Sequence, residues 1–198
     1  MLIDKAGYTG YAHGTAGVSH ALYKVYKRTG DARIFSVVKK MLAYERGQYA
    51  AEEHNYHRSL SDRRCDCKWC HGMPGILLNR LSLKEDGYSD ALLDQEIEIG
   101  IRKVKEDGFG NDHCLCHGDI GNLLVLQRAA DVTHDKALKQ QVSQNAEHLA
   151  YYLIERMDSN SAFIENAGFG LMTGLAGIGY GMLALKYGAK TISNILAV

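Results

Sequence analysis

"CHGDIGNLLVLQ", residues 116–127, sets a cysteine and a histidine directly before a glycine pair and lets an apolar run follow it. The same G-x-x-G spacing occurs four times, as Gly14-Thr15-Ala16-Gly17, Gly72-Met73-Pro74-Gly75, Gly118-Asp119-Ile120-Gly121 and Gly174-Leu175-Ala176-Gly177. Their first glycines lie 58, 46 and 56 residues apart. Each copy opens a run with helical periodicity: Val18, Ala21, Leu22, Val25 and Tyr26; Ile76, Leu77, Leu78 and Leu81; Leu123, Leu124, Leu126 and Gln127; Ile178, Met182 and Leu185. These runs predict helices buried on most of their surface.

Between copies there is room for a second helix. Gly30-Asp31 can stop one helix and cap the next, Ser89 is a candidate N-cap for a stretch ending near Asp107-Gly108, and Thr133 is a candidate N-cap for a long helix through Ala137, Leu138, Val142, Leu149 and Leu153. No stretch shows strand alternation, and the chain has one proline. The expected fold is therefore all-α: helix pairs repeating at about fifty residues, as in a solenoid or a closed ring.

Composition narrows the functional classes. A chain of 198 residues that is 46% hydrophobic can bury one sizeable core, so a single domain spanning residues 1–198 is expected. The formal net charge of +0 and the absence of like-charge runs argue against nucleic acid as a partner. Residues 167–185 run nineteen positions without a charge, but six of them are glycine, which favours a buried helix entered by a turn over a membrane span. The five cysteines crowd into C-x-C and C-x-x-C spacings beside histidines, a pattern of cytoplasmic metal chemistry more than of disulfides.

The two positions before each glycine pair carry that chemistry. They are Ala12-His13, Cys70-His71, Cys116-His117 and Met172-Thr173. Equivalent slots of neighbouring repeats lie on one end of a helical stack, so Cys116 and His117 are expected to share a site with Cys70 and His13. Two thiolates and one imidazole suit tetrahedral zinc with a fourth position open, the pattern of a catalytic site. A closed structural site made from Cys67, Cys70, Cys114 and Cys116 stands beside it as the alternative. Cys65, Cys67, Cys114, His71 and His113 receive no assigned role. Trp69 reads as a core or pocket-wall aromatic, and His20, His54, His57, His134 and His148 as solvated or hydrogen-bonded residues.

Taken together, "GYAHGTAG", "KWCHGMPGI", "HCLCHGDIGN" and "GLMTGLAGIGYG" resemble the C-terminal half of the lanthionine synthetase C-like cyclases, most closely the cyclase domain of class II lanthipeptide synthetases. The resemblance implies a partial α/α toroid, the C-terminal portion of a seven-fold α/α barrel. It implies zinc held by Cys70, Cys116 and His117, with His13 as the acid or base beside the metal. The activity it implies is addition of a zinc-held peptide cysteine thiolate to dehydroalanine or dehydrobutyrine, with a dehydrated precursor peptide as substrate. Asp66 stands where nisin-type cyclases place an arginine. The earlier helix pairs of such a cyclase and its acidic partner for the histidine are not in this sequence, so the expectation extends to pairing with a missing N-terminal synthetase portion or to self-association. A non-catalytic zinc-binding scaffold for thiols or peptides, and a purely structural helical repeat, are the other classes the sequence allows.

Overall fold

The structure is a computed structural model that describes residues 7–110, 112–159, 168–188, 191–192 and 195–197. Its chain divides into two compact units, Met1–Gly108 and Phe109–Val198.

In the first unit, α1 (Thr15–Thr29) packs on α2 (Ala32–Gly47) and on α3 (Met73–Glu85), and α3 packs on α4 (Leu93–Asp107). Gly30 ends α1 in the left-handed region at φ 69°, its N–H donating to Tyr26 O, and the Asp31 carboxylate then accepts from the Arg33 N–H to start α2. That junction matches the sequence expectation. The start of α4 does not. Asp90, not Ser89, stops the unwound backbone there, its Oδ1 accepting the N–H groups of Leu92 and Leu93, each at 3.0 Å. A carboxylate satisfies two of the exposed donors at a helix start where a serine hydroxyl satisfies one.

Helix α3 is buried at every position from Met73 to Leu83, whereas α4 buries only Leu93, Ile97, Gly100 and Val104. The first pattern belongs to an inner helix and the second to an outer one laid against it. Between α2 and α3 the chain forms a short antiparallel hairpin, β1 (Tyr49–Ala50) and β2 (Asn55–Tyr56), with Tyr49 opposite Tyr56. Two-residue strands are too short to show alternation, so no sequence pattern marks them.

A charged cluster lies inside this unit. Arg80 on α3 has no exposed side-chain surface; its guanidinium reaches Glu45 Oε2 of α2 at 2.8 Å and Glu96 Oε2 of α4 at 3.2 Å. Arg46 bridges Glu96 at 2.7 Å and Asp90 at 2.8 Å, while the Thr15 hydroxyl donates to Glu45 Oε1 at 2.7 Å. Four helices are thereby tied through one set of charges.

In the second unit, α5 (Asp119–Thr133) packs on α6 (Lys136–Ser159) and α7 (Leu175–Tyr187), and α6 packs on α7; a 3₁₀ turn follows at Ile195–Ala197. Helix α5 is buried from Asp119 through Leu126, the same inner-helix pattern as α3. Thr133 belongs to the end of α5, its hydroxyl bonded to Ala129 O, and does not cap α6. His134 ends α5 at φ 56°, and Asp135 Oδ1 accepts the Leu138 N–H to start the next helix. The uncharged stretch near the C-terminus resolves into a turn at residues 168–174 and the thirteen-residue α7. No described helix is long and apolar enough to cross a membrane.

Candidate metal centre

All four G-x-x-G copies build the same local device. The backbone N–H just after the first glycine donates to the carbonyl seven residues earlier: Thr15 to Tyr8 at 2.9 Å, Met73 to Asp66 at 3.2 Å, Asp119 to Asp112 at 2.7 Å and Leu175 to Gly168 at 3.0 Å. Each loop is thus folded back over the first turn of its helix. The second glycine is where loop and helix touch. A Cβ there would sit 2.2 Å from Tyr11 O at Gly17, 2.2 Å from Trp69 O at Gly75, 2.0 Å from Leu115 O at Gly121 and 1.8 Å from Leu171 O at Gly177. Only a hydrogen fits in such a gap. The repeat seen in the sequence is therefore a closed seven-residue loop that presents the residues before the first glycine at the helix N-terminus.

In the first unit, two of these loops lie against each other. The Tyr11 N–H donates to Trp69 O at 3.4 Å, the two rings stand 5.9 Å apart, and Gly10 leaves room for the Cys70 carbonyl, which an added Cβ would approach to 2.7 Å. Cys70 is 7% exposed. His13 is exposed and stacks on His71, with centroids 4.9 Å apart and planes at 26°. The ring of Tyr8 meets the other side of His71 edge-on at 5.7 Å. The structure thus brings His13 beside the Cys70-His71 loop, as the repeat slots lead one to expect. Burial, with Arg58 and His13 nearby, holds His71 below the ordinary imidazole range.

Asp66, the departure from the nisin-type pattern, holds this loop in place. Its carboxylate pairs with Arg58 and its carbonyl accepts from both Asn55 Nδ2 and the Met73 N–H. Gly72, at φ 103°, lets the chain turn directly over that carbonyl.

In the second unit, Cys116 and His117 are half-buried in the third loop, and the Cys116 N–H donates to Met172 O of the fourth loop at 2.9 Å. Asp112 stands beside them, its Oδ2 3.9 Å from His117 Nε2, while its Oδ1 accepts the Cys114 N–H at 2.7 Å. The ligand atoms of Asp112, Cys114 and His117 lie within 4.8 Å of one another. Together they offer an oxygen, a sulfur and a nitrogen donor. Asp112 stands one residue before the "HCLCHGDIGN" stretch and is assigned no role from the sequence. Reach between side chains five residues apart depends on the loop closure, and spacing alone does not report it.

The remaining cysteines are engaged differently. None of the five forms a disulfide. The Cys67 thiol faces the Lys103 carbonyl at 3.9 Å, and burial pushes it up to about 12. Burial likewise pushes the Cys114 thiol up to about 11, with its sulfur accepting the His117 N–H at 3.5 Å. Cys65 is also raised by burial. His113 donates its effort elsewhere, with Nδ1 3.0 Å from Asp119 Oδ2. His20, read from sequence as solvated or hydrogen-bonded, is buried and hydrogen-bonded. Its Nδ1 lies 2.6 Å from the Tyr11 hydroxyl and its Nε2 3.3 Å from Asp86, which ties the His13 loop to the far end of α3.

Residues 4–196 match the model of the lanthionine synthetase C-like proteins, and the chain belongs to that family. Among its relatives is the lacticin 481/lactococcin biosynthesis protein LcnDR2 of Lactococcus lactis subsp. lactis, 27% identical over 90% of this chain and 20% of that protein. The glutathione S-transferase LANCL1 of Danio rerio is 32% identical over 65% of this chain and 32% of its own length. Among solved structures, nisin cyclase superposes with a TM-score of 0.75 at 18% identity, over 92% of this chain and 47% of nisin cyclase. The fold is accordingly that of part of the nisin cyclase α/α toroid. The chain spans about a fifth to a third of the curated relatives and about half of nisin cyclase.

Proposed function

We propose that this chain carries the zinc-binding part of a lanthipeptide cyclase, with Cys70, Cys116 and His117 as the three protein ligands and a fourth position left for a substrate thiol. The observation that carries the reading is the loop device: its second and third copies present Cys70-His71 and Cys116-His117 in the same slot, under the same N–H to carbonyl closure. The donor chemistry fits. Two thiols and an imidazole suit zinc, and the two cysteines that would complete a four-cysteine site, Cys67 and Cys114, are turned toward backbone groups.

Zinc bound there would keep a peptide cysteine as its thiolate near neutral pH, where an unassisted thiol is only about 3% ionised. The sulfur adds to the β-carbon of a dehydroalanine or dehydrobutyrine in the same dehydrated precursor peptide. The new C–S bond leaves an electron pair shared between the α-carbon and its carbonyl, and a proton must arrive at the α-carbon. His13 supplies it: the side chain is exposed, and its stack on His71 holds the ring in one orientation. The product is a lanthionine or methyllanthionine thioether.

Metal analysis of the purified chain tests the ligand set. Cys70→Ala, Cys116→Ala and His117→Ala each abolish zinc binding, while Cys65→Ala retains it. Loss of zinc from Cys67→Ala and Cys114→Ala, with retention by His117→Ala, would establish the closed four-cysteine site instead. The identity with a protein named glutathione S-transferase supports a second reading, in which the thiol comes from a small molecule. Incubation of a dehydrated, cysteine-containing peptide with and without glutathione, followed by mass spectrometry, separates the two: an internal ring leaves the peptide mass unchanged and unreactive to alkylation, and a glutathione adduct adds the mass of the thiol. A chain that binds zinc and does neither is the non-catalytic scaffold.

A further inference from the structure

The second unit holds a cavity of about 710 Å³ between the start of α5, the later half of α6 and the loop before Asp112. Its apolar lining includes Leu123 and Leu149, and its polar groups include His113 and Arg156. None of these residues serves the proposed metal site.

Two features show a built arrangement. Asp119 is buried, and both its oxygens are engaged: Oδ1 accepts the Gly110 N–H at 2.9 Å and Oδ2 lies 3.0 Å from His113 Nδ1. With Nδ1 turned to that carboxylate, Nε2 is the ring nitrogen left for a ligand. On the other wall, the Arg156 guanidinium lies over the Tyr152 ring at 5.7 Å, and Tyr152 meets His113 edge-on at 5.4 Å. Arg156 has no carboxylate partner among the described residues. An arginine held on an aromatic face presents a planar fork that suits a carboxylate.

We propose that this cavity binds a carboxylate-bearing apolar peptide segment, Arg156 pairing with the carboxylate, Leu123 and Leu149 taking the apolar side chain, and His113 Nε2 hydrogen-bonding the peptide backbone. The volume lies within the range of small-ligand sites and admits a dipeptide-sized group. The inference rests on the second unit alone and is independent of the zinc reading.

The test titrates the isotope-labelled chain of 198 residues with three probes: N-acetyl-phenylalanyl-glutamate amide, its glutamine counterpart, and N-acetyl-phenylalanyl-leucine with a free carboxyl terminus. At least one carboxylate probe binds about tenfold or more tightly than the glutamine probe, the scale of one charge-assisted hydrogen-bond pair, with resonance shifts at Gly110, Leu149 and Tyr152. Preference between the two carboxylate probes assigns a side-chain or a terminal carboxylate. Arg156→Gln, at an exposed position on α6, brings the carboxylate probes to within twofold of the glutamine probe, and Tyr152→Leu weakens all three. Equal binding of all probes, carboxylate binding unchanged in Arg156→Gln, or shifts confined to residues outside the cavity would overturn the proposal.

Discussion

Arg80→Met removes the centre of the buried charge cluster, and the structure shows where the damage falls. Glu96 keeps Arg46 at 2.7 Å and the Tyr56 hydroxyl at 3.2 Å. Glu45, with no exposed side-chain surface, keeps among the described residues only the Thr15 hydroxyl at 2.7 Å. An isolated carboxylate in that position must either stay charged without a counterion or take up a proton. Breaking one side of a buried pair destabilises by about 3–5 kcal/mol, a large part of the 5–15 kcal/mol that holds an ordinary domain together. With a urea slope of about 2 kcal/mol per M, a loss of about 4 kcal/mol lowers the unfolding midpoint by about 2 M. Removing both partners should be milder than removing one, because no charge is then stranded. The double variant Arg80→Met, Glu45→Leu is therefore expected to recover at least half of the loss. Urea unfolding followed by circular dichroism at pH 7 measures all four corners of that cycle. A single variant that loses less than about 1 kcal/mol, or a double variant no better than the single, refutes the view that a desolvated ion pair organises this unit.

The loop device and the charge cluster supply two more expectations. Gly121→Ala, whose Cβ would lie 2.0 Å from Leu115 O, destabilises the second unit by more than about 2 kcal/mol, whereas Gly179→Ala, with nothing within 4 Å of the added methyl in the exposed interior of α7, stabilises it by about 0.5–1 kcal/mol. Thermal melts of the two variants should move in opposite directions, and a common direction counts against the crowding argument. On the acid side, burial raises the Glu96 and Asp90 carboxyls, but Arg80 and Arg46 outweigh it at Glu96, and hydrogen bonds from Arg46, Tyr88 and the Leu92 N–H outweigh it at Asp90, which is brought down to about 2. Because both groups are lowered on folding, their stabilisation is complete above the unfolded value near pH 4 and is lost as pH falls below it, for Asp90 toward about 2. Arg46→Gln should move the acid unfolding midpoint to higher pH, and an unmoved midpoint would show that these carboxylates do not govern acid stability.

Much of the molecule was legible in the sequence because its repeat is a local device. Four glycine pairs, each followed by apolar residues at helical spacing, determined the inner helices, their N-termini and the slot that carries Cys70, Cys116, His117 and His13. Gly30-Asp31 could be read because capping needs only neighbouring residues. Tertiary structure decided what depends on contacts between distant residues. Thr133 and Asp135 are both credible caps, and the choice between them follows from how far α5 extends against the helices packed on it. His20 reads as either solvated or hydrogen-bonded, and only the approach of Tyr11 and Asp86 decides for the second. The second glycine of each pair reads as a helix-entry residue, yet what requires it is a carbonyl six positions back that arrives only when the loop closes. Asp119 and His113 meet for the same reason. The burial of Arg80 with Glu45 could not be read at all, since a charged residue on a helix carries no local mark of whether it faces water or a partner thirty-five positions away.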